Sequence, residues 1–246
     1  MLVDAAGRAG AENMAIDEAL LGEADRSGRA FLRLYRWSPP CLSFGRHESV
    51  ATRYDRAAIA RLGLDVVRRP TGGRAVWHEH EVTYAVAAPI ATFGSLRETY
   101  CAIHERLAAA LRTLGVDAKL APRFARGRLG PLFEGPAACF AAAVGGEVLI
   151  GDRKVVGSAQ VRRGAAFLQH GSILLDGSQD LVTEVSRKPG AAARATSLSV
   201  ELGRTVAFEE VASAIVAAWG ESLVQSDGPT VGLSDAFSDS HWTWRR

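Results

Sequence analysis

The stretch Arg68-Arg69-Pro70-Thr71-Gly72-Gly73-Arg74-Ala75-Val76-Trp77-His78 joins two β-like runs through a pair of adjacent glycines. The run that enters it, residues 65–69, contains the valines of a strand, and Pro70 ends that strand because proline cannot donate a ladder hydrogen bond. Gly72 and Gly73 permit positive φ angles and let a ligand approach backbone N–H groups, while the neighbouring arginines add positive charge. The stretch matches neither a P-loop nor a dinucleotide-binding pattern, and alone it is more typical of an ordinary turn. Its place at a strand end nevertheless predicts a loop that can contact a ligand.

The pattern outward from this loop predicts helices packed on a mixed or antiparallel central sheet. Apolar residues recur at helical spacing over 13–24, 56–62 and 208–219, and a capping box of Ser95 and Glu98 begins another helix. Short β-like runs are predicted at 31–35, 41–44, 65–69, 75–77, 82–86, 147–150, 154–156, 165–169 and 172–175. Strands and helices do not alternate as regular βαβ units, so the predicted fold class is α+β.

The composition is typical of one globular domain. The chain has 246 residues, of which 48% are hydrophobic and 23% are charged, and no Pro/Gly/Ser-rich linker divides it. We expect a single catalytic domain over 1–246, with the motifs within about 10–180 and a helical C-terminal part over 181–246. A net charge of +2 is too small for a nucleic-acid-binding domain. Clustered arginines could form a basic rim for an acidic protein partner, although scattered, solvated arginines are the more common arrangement. The clustered residues are Arg68, Arg69, Arg74, Arg123, Arg126, Arg128, Arg162 and Arg163.

The sequence favours a cytoplasmic protein. Its first twenty residues contain acidic side chains where a signal peptide needs a basic start and an apolar run. No apolar stretch approaches the ~20 residues of a membrane span. Three cysteines without a CxxC or Cys/His pattern predict neither a disulfide framework nor a metal site.

Cys139 is the candidate nucleophile among these cysteines. Cys41 lies in an apolar strand and Cys101 within a helix, so both are predicted to be small buried hydrophobes. Cys139 instead follows an irregular stretch, residues 121–138, which is predicted to be a long surface loop. A lysine ammonium close to Cys139 would favour its reactive thiolate form.

Lys154 and His170 are the other candidates for chemistry. Lys154 lies in GDRKVVGSAQ, residues 151–160, where flanking apolar and small residues allow it to point into a narrow pocket. The alternative is a strand lysine that faces water. His170 lies in QHGSILL, residues 169–175, before a glycine at a predicted strand start, where it could line the same pocket or serve a structural role. The remaining histidines, His47, His78, His80, His104 and His241, show no spacing typical of metal ligands.

Taken together and in order, these motifs resemble the biotin/lipoate ligase and octanoyltransferase superfamily. The resemblance is carried by NMAIDEAL (13–20), the glycine-pair stretch, Cys139-Phe140, GDRKVVGSAQ and QHGSILL. It covers about 10–180 and is closest to the octanoyltransferase branch with ligase-like architecture, often called the LipM type. The resemblance implies a core related to class II aminoacyl-tRNA synthetases and a narrow apolar tunnel for an eight-carbon chain.

The resemblance also implies a reaction and its residues. Octanoate would move from octanoyl-acyl carrier protein, through a thioester on Cys139 with Lys154 as catalytic partner, to a lipoyl-domain lysine in lipoate biosynthesis. Acceptors would be proteins such as the glycine cleavage H protein or a 2-oxoacid dehydrogenase E2, and no metal or organic cofactor is required. Substrate-binding roles are implied for Arg69, Thr71, Gly72, Gly73, His78, Gly157, Ser158, Ala159, His170 and Gly171. The oxyanion hole would come from backbone N–H groups near either Gly72-Gly73 or Gly157-Ser158.

Two alternatives remain open at this stage. In an ATP-dependent lipoate ligase, Lys154 would contact an acyl-adenylate and Cys139 would be a bystander. Such ligases generally carry a third small residue where this chain has Arg74, and Asn-Asp where it has Cys139-Phe140. A non-catalytic acyl-binding module would keep the pocket alone and would not need Cys139, Lys154 and His170.

Overall fold

The computed structural model describes residues 1–122, 145–188, 195–220, 223–225 and 235–245. Cys139 and most of the predicted loop 121–138 lie outside these residues. The elements in chain order are β1 (Leu2–Arg8), α1 (Gly10–Ser27), β2 (Phe31–Trp37), β3 (Cys41–Phe44), α2 (Val50–Arg53), α3 (Arg56–Arg61), β4 (Asp65–Arg68), β5 (Val76–His78), β6 (Glu81–Pro89), α4 (Leu96–Thr113), β7 (Ala118–Leu120), β8 (Val148–Ile150), β9 (Arg153–Lys154), β10 (Val156–Arg163), β11 (Ala166–Leu174), α5 (Asp180–Glu184), α6 (Leu198–Leu202), α7 (Phe208–Trp219) and α8 (Ser240–Trp244). The predicted α+β class is confirmed.

The central sheet has five strands in the order β1-β2-β6-β11-β10, and only the β1-β2 pair is parallel. Its middle strand β6 is buried on both faces because its side chains alternate between two cores. Val82, Tyr84 and Val86 pack in the core that includes α4 and α7. Ala85 and Ala87 pack in the core that includes α1. The sheet is therefore a rigid platform between two layers of helices.

A second sheet of three strands, β4-β3-β5, carries the glycine-pair stretch. β3 pairs in parallel with β4 and antiparallel with β5, so Phe44 lies opposite Arg68 and Cys41 lies opposite His78. Its apolar core includes Leu42, Phe44 and Tyr54. The loop between β4 and β5 is thereby fixed at both ends to the same strand. A third sheet, β7-β8-β9, holds Lys154.

Most of the predicted elements are present, with shifted ends. The capping box is confirmed, with Ser95 accepting from the Glu98 N–H and the Glu98 carboxylate accepting from the Ser95 N–H. The helix predicted over 13–24 runs from Gly10 to Ser27. Strand β1 and helix α8 were not predicted, because neither has a periodic apolar pattern. No helix in the described part of the chain is long and apolar enough to span a bilayer.

One prediction about strands was wrong. The runs 165–169 and 172–175 form a single strand, Ala166–Leu174, so His170 and Gly171 lie in its middle rather than at a strand start. Gly171 does not interrupt the strand but allows its neighbours to approach closely. A Cβ there would lie 2.5 Å from the Gly157 carbonyl oxygen and 2.9 Å from the Tyr84 ring.

Candidate active site

A cavity that opens to solvent lies between the central sheet, the β4-β3-β5 sheet and α1, and the cavity and its mouth together hold about 310 Å³ of space free of protein atoms. Apolar and aromatic side chains form part of its wall, namely Met14, Tyr35, Trp37 and Val76. Seven of the residues predicted to bind substrate also line it, and these are Arg69, His78, Gly157, Ser158, Ala159, His170 and Gly171. The fold therefore brings three separated motifs to one cavity.

His170 is held on the cavity wall by hydrogen bonds at both ring nitrogens. Its Nδ1 lies 2.9 Å from Asp17 Oδ2, and its Nε2 lies 2.6 Å from the Thr71 hydroxyl. All three side chains are buried, with at most 4% of any of them exposed. Thr71, which does not itself line the cavity, thus reaches it through His170.

The charge on Asp17 determines which ring nitrogen of His170 carries a proton. Burial opposes ionisation of Asp17, but the hydrogen bond from His170 and the charge of Arg33 outweigh it and lower the carboxyl pKa. The Asp17 carboxylate also accepts from Arg33 Nη1 at 2.9 Å and from the Tyr35 hydroxyl at 2.8 Å. Because a carboxylate only accepts, His170 Nδ1 carries a proton. In the neutral ring, Nε2 then accepts the Thr71 hydroxyl proton.

His78 forms a second buried histidine site in the wall. Its Nε2 lies 2.5 Å from Ser43 Oγ, its Nδ1 lies 2.9 Å from Glu81 Oε1, and its ring stacks on Trp37 with centroids 4.0 Å apart. Burial lowers the pKa of His78 despite the opposing effect of Glu81, so the ring is neutral at pH 7. His78 is a fixed, uncharged part of the wall.

The Arg69 guanidinium cross-links the glycine-pair loop and strand β3 through hydrogen bonds to their backbone carbonyls. Its Nη1 donates to the Ser43 carbonyl at 3.0 Å, and its Nη2 donates to the Arg74 carbonyl at 2.7 Å and the Gly72 carbonyl at 3.3 Å. Gly73 has a φ of +94°, as the sequence predicts, whereas Gly72 does not have a positive φ. Gly72 and Gly73 are not among the cavity-lining residues, and their predicted contact with substrate stays a prediction.

Lys154 is buried rather than facing water, with 2% of its surface exposed. Its Nζ lies 2.6 Å from Glu147 Oε1, and this carboxylate is also buried. The alternative of a solvent-facing strand lysine is therefore wrong. Lys154 does not line the cavity, although Gly157 and Ser158 follow it closely along the chain and do.

A chain of hydrogen bonds runs from the cavity wall towards the Lys154 region. His104 Nδ1 lies 2.7 Å from the Gly146 carbonyl oxygen, which can only accept, so Nδ1 carries a proton. Burial lowers the pKa of His104 to about 4, with a smaller contribution from the charge of Lys154. The neutral His104 Nε2 accepts from Ser158 Oγ at 2.8 Å, and Ser158 Oγ lies 2.7 Å from the Tyr84 hydroxyl. The Ser158 hydroxyl is therefore oriented by a network that also fixes Gly146.

Several site residues had no predicted role. Asp17 lies in the quoted 13–20 motif, and its helical spacing to Asn13, Leu20 and Leu21 puts it on the face of α1 that is buried, which is a signal present in the sequence. His104 follows buried Ile103 within the predicted helix, which marks it as buried but gives no partner. Glu147 and Glu81 lie next to predicted motifs without any distinguishing spacing.

Two further predictions concern charge and cysteines. Arg68 and Arg69 are 0% and 4% exposed, so their predicted place in a basic rim is wrong, since backbone carbonyls surround both guanidinium groups.

Cys41 and Cys101 are buried as predicted, and burial raises the pKa of the Cys41 thiol. Cys139 stays a prediction because it lies outside the described residues. Within the described ranges, no cluster of three or more His, Cys, Asp or Glu is arranged for a metal ion.

Known proteins resemble this chain over most of its length. Residues 9–220 match the family model of the lipoyl protein ligase A/B catalytic domain. The octanoyltransferase LipM of Moorella thermoacetica is 43% identical over 206 residues, which cover 81% of this chain and 73% of the relative. The octanoyltransferase LipM of Symbiobacterium thermophilum is 39% identical over 241 residues, which cover 90% and 85%.

The fold is shared with solved lipoate ligases at low sequence identity. The structure of a putative lipoate protein ligase from T. acidophilum with bound lipoic acid is similar at a TM-score of 0.76 and 20% identity, and the match covers 99% of this chain and 98% of the other. Lipoate-protein ligase A bound with ATP gives a TM-score of 0.69 at 21% identity, over 89% and 82% of the two chains. The predicted biotin/lipoate ligase-like α+β fold is confirmed.

Proposed function

The chain belongs to the lipoyl protein ligase A/B catalytic-domain family, among its octanoyltransferases, and we propose that it transfers octanoate in two steps through a thioester on Cys139. The observation that carries the proposal is a cavity lined together by Arg69, the 157–159 segment and His170-Gly171, which come from three of the family's motifs. Its wall combines Met14, Trp37 and Val76 with the polar groups of Ser158 and His170. An aliphatic chain fits the apolar part, and a thioester carbonyl fits the polar part.

In the first step, the Cys139 thiolate attacks the carbonyl carbon of an octanoyl thioester on a carrier protein. The new C–S bond forms, the old C–S bond breaks, and the carrier thiol leaves with a proton. Exchange of one thioester for another is close to neutral in free energy. Lys154 serves this step with its ammonium group, which stabilises the thiolate and can transfer a proton.

In the second step, the neutral ε-amine of an acceptor lysine attacks the Cys139 thioester. The C–N bond forms, the C–S bond to Cys139 breaks, and the proton lost by the amine passes to the leaving thiolate, which regenerates the Cys139 thiol. Because an amide is more stable than a thioester, the transfer runs forward without ATP. The alternative in which Cys139 is a bystander needs ATP to activate free octanoate.

The tetrahedral intermediates of both steps need an oxyanion hole. Gly157 and Ser158 line the cavity, while Gly72 and Gly73 do not. This difference supports the backbone of residues 157–158 over the glycine-pair loop as the source of the N–H donors. The glycine pair then shapes the wall through Arg69.

The partners follow from the proposed chemistry. The donor is octanoyl-acyl carrier protein, and the acceptors are lipoyl domains such as those of the glycine cleavage H protein or a 2-oxoacid dehydrogenase E2. One solved structure similar to this chain is that of an archaeal bi-partite lipoate protein ligase and its E2 lipoyl domain. A reducing cytoplasm suits a reaction that needs a free thiolate.

The test is acylation of a purified apo lipoyl domain, followed by mass spectrometry. We expect acylation from octanoyl-acyl carrier protein without ATP, and none from free octanoate with ATP. Acylation only from free octanoate plus ATP would replace the transferase by a ligase. Tight binding of the donor without any acylation would instead indicate an acyl-binding module.

A further inference from the structure

Arg68 and Arg69 are adjacent in the chain but have different surroundings. Arg69 lines the cavity, whereas Arg68 is completely buried behind it. Six backbone carbonyl oxygens lie within hydrogen-bond distance of the Arg68 guanidinium, and some of its N–H groups are shared between two of them. These oxygens belong to Trp242 (2.9 Å), Thr243 (3.2 Å), Gly45 (3.0 Å), Arg46 (3.1 Å), Glu48 (2.9 Å) and Arg245 (2.8 Å). This buried charge is stabilised by peptide dipoles from two segments that are remote in sequence.

The first segment is the C-terminal one, residues 235–245. This segment also donates two hydrogen bonds of its own. Trp242 Nε1 donates to the Arg68 carbonyl at 3.0 Å, and Arg245 Nη2 donates to the Arg46 carbonyl at 2.6 Å. The Arg245 guanidinium lies 4.0 Å from the Trp242 ring centroid, a cation–π distance. Helix α8 is therefore bound to the end of β4 by interactions in both directions.

The second segment is the turn 45–48, which holds the glycine-pair loop. The Arg46 N–H donates to the Thr71 carbonyl at 2.7 Å, and the Arg69 N–H donates to the Phe44 carbonyl at 2.8 Å. A Cβ on Gly45 would collide with the Gly73 carbonyl, so turn and loop are in direct contact. Any displacement of this turn moves Thr71, whose hydroxyl bonds His170.

We propose that Arg68, held by the C-terminal segment 235–245, is a positioning residue that fixes the glycine-pair loop and its Thr71–His170 contact for acyl transfer. The inference rests on the proposed function for its kinetic consequence only. Without residues 240–245, Arg68 loses three of its six acceptors, and the turn 45–48 loses its support. The wall of the cavity would then lose its fixed geometry.

Three variants of the full chain test this proposal. Arg68→Lys keeps the charge but offers only three donors from one point, in place of a planar fork. Trp242→Phe keeps an aromatic side chain but removes the indole N–H that bonds the Arg68 carbonyl, together with part of the ring that Arg245 covers. His241→Ala is the matched control, because His241 lies on the same helix with an exposed side chain. A chain that ends at 239 removes α8 altogether.

The first measurement is hydrogen exchange at two amides. The Arg46 amide donates to Thr71 and reports the turn-to-loop bond directly, and the Arg69 amide donates to Phe44 and reports the adjacent contact of the loop with the end of β3. We expect faster exchange by about tenfold in Arg68→Lys, which corresponds to loss of roughly one or two hydrogen bonds, and at least as much in the truncated chain. Trp242→Phe should give a smaller increase. His241→Ala should match the wild type, and amides of β6 and β11 should be unchanged in every variant.

The second measurement is the kinetics of octanoyl transfer. We expect kcat to fall by about tenfold in Arg68→Lys, for the same loss of roughly one or two hydrogen bonds, while KM for the octanoyl-carrier protein stays within about twofold. A synthetic peptide of residues 235–246 added to the truncated chain should restore both the slow exchange and kcat, and a scrambled peptide should not.

Several results would overturn the proposal. Wild-type exchange at Arg46 and Arg69 together with wild-type kcat in folded Arg68→Lys would do so. Equal acceleration of exchange in β6 and β11 would show a general loss of stability without a positioning role. If the wild type fails to transfer octanoate, the proposed function is wrong, and the exchange arm alone still decides whether α8 fixes the loop.

Discussion

Burial of a neutral histidine beside the cavity predicts a specific loss of stability in mild acid. The pKa of His104 falls from its ordinary 6.5 to about 4 in the folded protein, first because of burial and then because of the charge of Lys154. In the unfolded chain the ring regains its ordinary pKa. The unfolded state therefore binds a proton that the folded state does not bind between these two pH values.

The sign and size of the effect follow from proton linkage. Above about pH 6.5 the His104 ring is neutral in both the folded and the unfolded state, so it contributes nothing to the pH dependence of the free energy of unfolding. As the pH falls, the unfolded state is favoured progressively until the folded ring also protonates near pH 4. At about 1.4 kcal/mol per pH unit, the full effect is about 3 kcal/mol, of which about 2 kcal/mol is reached between pH 7 and pH 5.

The assay is urea unfolding at pH 7 and pH 5, comparing the wild type with His104→Asn. The asparagine amide can still donate to the Gly146 carbonyl but does not titrate. We expect the wild type to lose about 2 kcal/mol more than the variant on this pH change. His78, whose pKa burial also lowers, contributes in the same direction to both proteins and cancels. An equal loss in both proteins, while exposed His241→Asn behaves as the wild type, would refute the reasoning.

The remaining predictions concern the buried acid and the strand glycine. Asp17→Asn should lower the free energy of unfolding by about 3–5 kcal/mol, because it removes the anionic partner of buried Arg33 and leaves one acceptor oxygen where Arg33 and His170 use two; a loss below about 1 kcal/mol in urea unfolding would contradict this. Gly171→Ala should cost about 1–3 kcal/mol by overpacking three strands. Gly22→Ala, in a helix with open space around the glycine, should raise the melting temperature, and a similar response of the two alanine variants would count against the strand-packing argument.

The cavity-lining residues that the sequence identifies share one property. Arg69, the 157–159 segment and His170-Gly171 lie in motifs that are continuous in the chain, each on a strand or directly after one. Because strands place consecutive residues at fixed intervals, a motif on a strand presents its side chains together once the sheet forms. The sequence pattern wrongly places a strand break at Gly171. The reason for a glycine there, the lack of room for a Cβ, arises only when β6 and β10 pack beside it.

The partners of these residues could not be predicted in the same way. Asp17 bonds His170 from 153 positions away, and the C-terminal segment bonds Arg68 from 174 to 177 positions away. Such contacts are set by how α1 and α8 pack on the sheets, which no local periodicity encodes. For the same reason the sequence suggests a solvated basic rim at Arg68, where the structure has a buried guanidinium surrounded by carbonyls.

Whether octanoate is carried on Cys139 is tested most directly by the intact mass of the pure protein after mixing with octanoyl-acyl carrier protein without ATP. We expect one added octanoyl group on the wild type and on Cys101→Ser, removable by hydroxylamine, and none on Cys139→Ser. An adduct that persists in Cys139→Ser, or efficient octanoyl transfer to a lipoyl domain by that variant, would contradict the proposal.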